Sequence, residues 1–237
     1  MLAHLKRDLS QLRNPEKAKT LSGFFKTGTG QYGEGDVFLG IPVPEQRKVA
    51  KRYRALPLPD LQTLLSSPIH EHRLTALLIL VGQYGRADAS GKAALFQFYL
   101  NNTEHINNWD LVDLSAPKIV GAYLLNKDTS ILYHLARSLN LWERRIAMLS
   151  TLTFIRHNAF DDALRIAEIL LQDEHELIHK AVGWMLREIG KRDQDVEERF
   201  LGEHYLRMPR TMLRYAIERF DAPKRQFYLA SRPRNNR

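Results

Sequence analysis

The chain has 237 residues, of which 44% are hydrophobic and 26% charged, with a formal net charge of +8 and no cysteine. That is the composition of a soluble globular protein with enough chain to bury a core; it excludes disulfides and thiolate metal sites and fits a reducing, cytoplasmic setting. No apolar run approaches the roughly 20 residues that span a bilayer, so no membrane partner is expected.

The first segment, MLAHLKRDLSQLR (1–13), is amphipathic and charged. Without an apolar h-region or a small-residue cleavage site, it does not read as a secretory signal. A helical stretch, PEKAKTLSGFFK (15–26), then leads into GTGQYG (28–33) and the extended DVFLGIPVP (36–44). The glycines match G-x-G-x-x-G, but a dinucleotide fingerprint needs a strand before it and a helix after it, so no nucleotide cofactor is expected. With Tyr32 and Lys26, the loop reads equally as a plain connection or as a flap whose backbone N–H groups approach phosphates.

From there on, strand signals are nearly absent and helical periodicity recurs. Expected starts of the second helix of each pair fall near His70, His105, Leu141, His175 and Pro209, spaced 35, 36, 34 and 34 residues apart. EHRLTALLIL (71–80) echoes ERRIAMLSTL (143–152) and sets Arg73 opposite Arg145. A repeat of this length predicts an all-α fold, an α-solenoid of HEAT-like helix pairs with a concave basic groove, as a single domain over 1–237. A compact irregular helical bundle is the alternative.

In NNWDLVD (107–113), Trp109 and Asp113 are one helical turn apart and share a face, and Pro117 is expected to end or kink the helix. In the helix expected over 174–191, Ile178, Ala181, Val182, Met185, Leu186 and Ile189 form the buried stripe. Lys180, Trp184, Arg187 and Lys191 form a second stripe on nearly the opposite side, an aromatic platform among cations. A repeat offset of 35–36 matches Trp109 to Arg145 and Lys180, and Asp113 to Leu149 and Trp184. HELIH (175–179) matches the zinc-protease pattern, but Asp173 and Glu176 read better as a capping box, so no metal is expected. From Tyr205 to Arg237 nine Arg and Lys face two acids, a surplus of +7 that leaves about +1 for the rest. Such asymmetry points to a polyanion partner or to a basic tail, here about 222–237.

NPEKAK (14–19), FLGIPVPEQRK (38–48), NNWDLVDLSAPKIVG (107–121), LWERRIAML (141–149) and HKAVGWMLREIGKRD (179–193) together make the chain resemble the AlkD-type HEAT-like-repeat alkylpurine DNA glycosylases. The resemblance covers almost the whole chain. It implies excision of cationic N3- or N7-alkylated purines from double-stranded DNA without metal or cofactor, by a protein expected to act as a monomer. It also implies that Trp109, Asp113 and Trp184 line the DNA groove and that Arg145 and Arg187 contact the backbone at the lesion. The cations Lys180, Lys191, Arg210 and Arg214 complete the expected phosphate contacts, although Arg145, close to Leu141, Leu149 and Leu152, also fits a partly buried structural role.

The chemistry agrees with one carboxylate. An alkylated purine already carries a positive charge and leaves neutral, so the acid that glycosidases need for their leaving group is dispensable. Asp113 alone then stabilises the oxocarbenium-like sugar and orients water, and an indole face attracts the cationic base by roughly 0.5–2 kcal/mol. Two other readings of the chain are a non-catalytic binder of bent or branched DNA and a protein-binding helical scaffold.

Overall fold

The computed structural model describes residues 1–230, and among these every regular element is helical. The chain divides into two compact units, residues 1–115 and residues 116 onward.

The first unit holds α1 (Leu2–Gln11), α2 (Pro15–Phe24), α3 (Val43–Arg52), α4 (Leu58–Leu65), α5 (His70–Tyr84), α6 (Ala89–Leu100) and nearly all of α7 (Trp109–Ala116). Asn14 caps α2 by accepting from Lys17 N–H, with Pro15 as the first helical residue. α5 is the centre of this unit: α3, α4 and α6 all pack on it. Its second residue, Glu71, is 1% exposed and gathers the backbone N–H groups of Leu39, Gly40 and Ile41 at 2.9, 2.8 and 3.2 Å. This explains FLGIP, an extended stretch with no strand to pair with and buried amides to satisfy. Gly40 has φ +84°, and a Cβ there would lie 2.1 Å from the Asn14 carbonyl oxygen, so the segment runs against the start of α2 as only glycine permits.

The second unit continues helically from Pro117. A π-turn (Pro117–Gly121) is followed by α8 (Ala122–Leu124), α9 (Ser130–Leu135), α10 (Leu141–Arg156), α11 (Asp161–Ile169), α12 (Glu176–Gly190), α13 (Gln194–His204), α14 (Arg210–Ala216) and α15 (Ala222–Ala230). α12 packs between α10 and α14, while α11 and α13 lie on these helices as a second layer. This alternation is the HEAT-like helix-pair plan expected from the 35-residue period. α12 meets α14 so closely that a Cβ on Gly183 would sit 2.4 Å from the Met212 carbonyl oxygen. Ile178, Ala181, Val182, Met185, Leu186 and Ile189, the six residues of the expected stripe, are each 0% exposed.

Three local expectations are corrected. The helix of the fourth pair starts at Glu176, and its cap is His175, whose Nδ1 accepts from Leu177 N–H at 3.1 Å. Asp173 instead accepts from the His175 N–H and from Arg144 Nε, so it braces the turn before the helix rather than forming a capping box. As expected, α7 ends at Ala116, before Pro117; the chain continues there as the wider π-turn, which absorbs the ring and the missing N–H, and the Pro117 carbonyl accepts from Thr153 Oγ1 at 2.6 Å. The helix expected near His105 begins at Trp109, after a 3-10 turn (Thr103–His105). Counted from the observed helix starts, Asp113 rather than Trp109 shares a position with Arg145 and Lys180, each the fifth residue of its helix.

Candidate functional site

In the first unit, Trp109 and Asp113 are both half-buried on α7. The Trp109 indole is stacked on Phe25, with centroids 5.1 Å apart and planes 18° apart, and Phe24 meets it edge-on at 5.8 Å. Phe25 stacks in turn on Phe38 at 5.1 Å, and Phe38 on the His70 ring at 4.5 Å. Each such aromatic pair contributes roughly 0.5–1.5 kcal/mol beyond area burial, so the row holds the indole in one orientation.

A buried ionic chain runs beside that row. His70, 2% exposed, sits between two carboxylates: Asp36 Oδ2 is 3.1 Å from Nδ1 and Asp110 Oδ2 is 2.9 Å from Nε2. Asp36 also accepts from Arg73 Nη2 at 2.5 Å and from Asn108 Nδ2 at 3.3 Å. Burial disfavours a charged imidazole, but the bonds from Asp110 and Asp36 outweigh it and raise the His70 pKa to about 9. Burial likewise pushes Asp36 up, yet the His70 bond and the Arg73 charge hold it below its usual range. Asn108 and Asp110 flank Trp109, so the chain ties the start of α7 to the end of the Gly-rich loop. Within that loop the Gly28 and Gly30 N–H groups donate to the side chains of Gln31 and Glu34. The two amides are thus already engaged, and the loop reads as a braced connection rather than a phosphate flap.

Asp113 lies near the buried Tyr99, whose hydroxyl is 2.9 Å from Ser115 Oγ. Burial raises the Tyr99 pKa above its ordinary value, the Ser115 bond lowers it, and the Asp113 charge raises it further.

In the second unit, Trp184 is half-buried on α12, and its Nε1 donates to Glu188 Oε1 at 3.0 Å. The same oxygen holds Lys191 Nζ at 2.6 Å, and Lys180 pairs with Glu176 at 2.9 Å. Arg187 pairs with Glu218, and its buried Nε has no hydrogen-bond partner among the described residues. The expected stripe is present, but acids are interleaved with its cations. Arg210 is half-buried and donates to the Leu229 carbonyl at 2.8 Å, whereas Arg214 is exposed.

Arg145 is 5% exposed and its Nη1 donates to the Leu177 carbonyl at 2.5 Å, in the first turn of α12. The phosphate contact expected of it has no exposed guanidinium to make it; the structure gives it a structural task. Its sequence echo, Arg73, is 3% exposed and bonds the Ser67 carbonyl in the same manner. HELIH is equally occupied: His175 caps α12, and His179 Nε2 meets the Asp173 carbonyl.

Reasoning from sequence missed Phe24, Phe25, Asp36, His70 and Asp110. The one available signal was Asp110 beside Trp109 in the quoted NNWD, since a second carboxylate there needs a partner once it is buried.

The sequence profile of the DNA alkylation repair enzyme family matches residues 5–220. No curated protein matches the chain. Among solved structures, a predicted DNA alkylation repair enzyme from Enterococcus faecalis superposes with a TM-score of 0.70 at 22% identity, covering 89% of this chain and 97% of its own. AlkD2 from Streptococcus mutans gives a TM-score of 0.57 at 19% identity, covering 93% and 98%. At these identities the structures establish a shared all-α helical-repeat fold, and the profile match establishes membership: the chain belongs to the DNA alkylation repair enzyme family.

Proposed function

We propose that the protein is a monofunctional DNA glycosylase that hydrolyses the N-glycosidic bond of cationic N3- or N7-alkylated purines in duplex DNA. The observation that carries this reading is Asp113, a half-buried carboxylate one turn after a half-buried indole, on a chain with a net charge of +8. A protein that only holds DNA gains nothing from a carboxylate there, because it repels phosphate. A glycosylase does gain, because the C1′–N bond breaks with positive charge developing on the sugar.

In this reading Asp113 stabilises that charge and orients the water that attacks C1′. The base departs neutral with the bonding electrons, so no general acid is required. Trp109, fixed by Phe25, and Trp184 pack on the lesion nucleotide. Lys180, Arg187, Lys191, Arg210 and Arg214 hold phosphates, the first three exchanging their glutamate partners within the chain for the DNA backbone. An accessible pair such as Lys180–Glu176 contributes only about 0–1 kcal/mol, so its exchange costs little. The enzyme is proposed to work as a cytoplasmic monomer without metal or cofactor.

The test is incubation with a duplex containing N7-methylguanine and measurement of free base. Release above the spontaneous rate is expected. Tight duplex binding without release would instead make the protein a non-catalytic DNA binder.

A further inference from the structure

The first unit carries a cation cluster with no role in the site above. Arg47, Lys51 and Arg54 recur at i, i+4 and i+7 along α3 and just beyond its end, and Arg86 follows α5; all four are exposed. With Ala50, Leu78, Ile79, Val81 and Gly82 they bound a cleft of about 250 Å3 between α3 and α5. No carboxylate lines this cleft, and none of the four cations pairs with an acid among the described residues. This differs from α12, where each cation of the stripe has a glutamate partner. Exposed cations gathered without counter-charges repel one another, and an anionic partner relieves that repulsion.

Gly82 lines the same cleft. It lies within α5, where glycine costs roughly 0.5–1 kcal/mol relative to alanine. A Cβ at Gly82 would meet nothing within 4 Å, so no contact inside the protein explains the missing side chain. A side chain placed there would stand in the cleft beside the four cations.

We propose that this cleft is an accessory clamp for the sugar-phosphate backbone of duplex DNA. The proposal rests on DNA being the protein's partner, and it concerns affinity rather than bond cleavage. Arg47 and Lys51 stand one turn apart on α3, about 6 Å of rise, and Arg54 follows two residues past its end, so the three cations spread over more than one phosphate of a strand. A row of phosphates fits that spread better than one small anion does, and the apolar floor suits the faces of the sugars. His70 starts the same helix about 18 Å from Gly82, so the clamp is set apart from the Trp109 end of α5.

The experiment measures the affinity of the full-length protein for an unmodified duplex across a salt series. In the triple variant Arg47→Ala, Lys51→Ala, Arg54→Ala, the slope of log K against log salt should become shallower by about 2–3, at roughly 0.9 per lost phosphate contact. Affinity at low salt should drop by on the order of 10- to 100-fold. Gly82→Glu places a carboxylate in the cleft, at a position where a Cβ meets nothing within 4 Å, and should bind roughly 5- to 10-fold more weakly than the isosteric Gly82→Gln, which adds the same bulk without the charge. An unchanged slope and affinity in the triple variant overturns the proposal, as does a Gly82→Glu protein that binds like Gly82→Gln. Because the duplex is unmodified, the outcome is independent of base release. A wild-type protein that excises normally with all variants unaffected loses only the clamp; one that excises nothing but shows these shifts loses only the glycosylase reading.

Discussion

A protonated histidine between two buried carboxylates makes the first unit sensitive to alkali. His70 is raised from 6.5 to about 9, so the folded state holds its proton more tightly than the unfolded chain does. Its contribution is therefore complete below about pH 6.5 and is lost as pH rises through 9, up to about 3 kcal/mol at 1.36 kcal/mol per unit. Thermal unfolding between pH 6 and 9.5 should show wild type losing stability over that window, and His70→Gln, less stable at pH 6, losing much less. Parallel curves for the two proteins would contradict the assignment. In the second unit, burial raises Glu197 to about 8. Its Oε1 lacks a partner among the described residues. Folding here takes up a proton between about pH 4.5 and 8, so stability falls as pH rises through that range. Glu197→Gln should raise the melting temperature at pH 7.5 and flatten this dependence. The pairing of His70 with its carboxylates was not legible in the sequence, because Asp36, His70 and Asp110 are 34 and 40 residues apart. Residue-scale partnerships are long-range, and periodicity reports only local faces.

Elements were far more legible. Apolar spacing placed the α12 core face residue by residue, and the starts of α5, α10, α12 and α14 fall within one residue of expectation. What the reading of the sequence left out was the company of the polar face. Glu188 is four residues from Trp184 and three from Lys191, the spacings at which helical side chains meet, and it binds both. We expect Glu188→Gln to tighten duplex binding roughly 2- to 5-fold at low salt, since it frees Lys191 and removes a charge that repels phosphate. Titration with unmodified duplex decides this, and weaker binding would mean that Glu188 orders the stripe more than it masks it. Arg145 illustrates the opposite limit. A cation among leucines reads as a groove contact or as a buried brace, and only packing showed that it reaches the first turn of α12.

For the molecule as a whole, sequence made the helical-repeat plan plain, because a 35-residue period is a property of the chain itself. Its charge map was less plain. Counting placed nearly all the surplus in the last 33 residues. Yet Arg47, Lys51, Arg54 and Arg86 form an acid-free cleft in the first unit, which a running sum conceals by averaging these cations with acids on other faces. The basic tail expected from 222 is divided: Ala222–Ala230 is helical, with Lys224 paired to Glu198, while 231–237 lie outside the described residues. The account turns finally on one carboxylate serving a substrate that brings its own positive charge. The measurement that tests this most directly is single-turnover release of N7-methylguanine from duplex DNA by Asp113→Asn, alongside its affinity for the same duplex. We predict a loss of about 100- to 1,000-fold in rate, the scale seen when one electrostatic stabiliser is removed, with affinity within about threefold of wild type. Release at the wild-type rate would contradict the account.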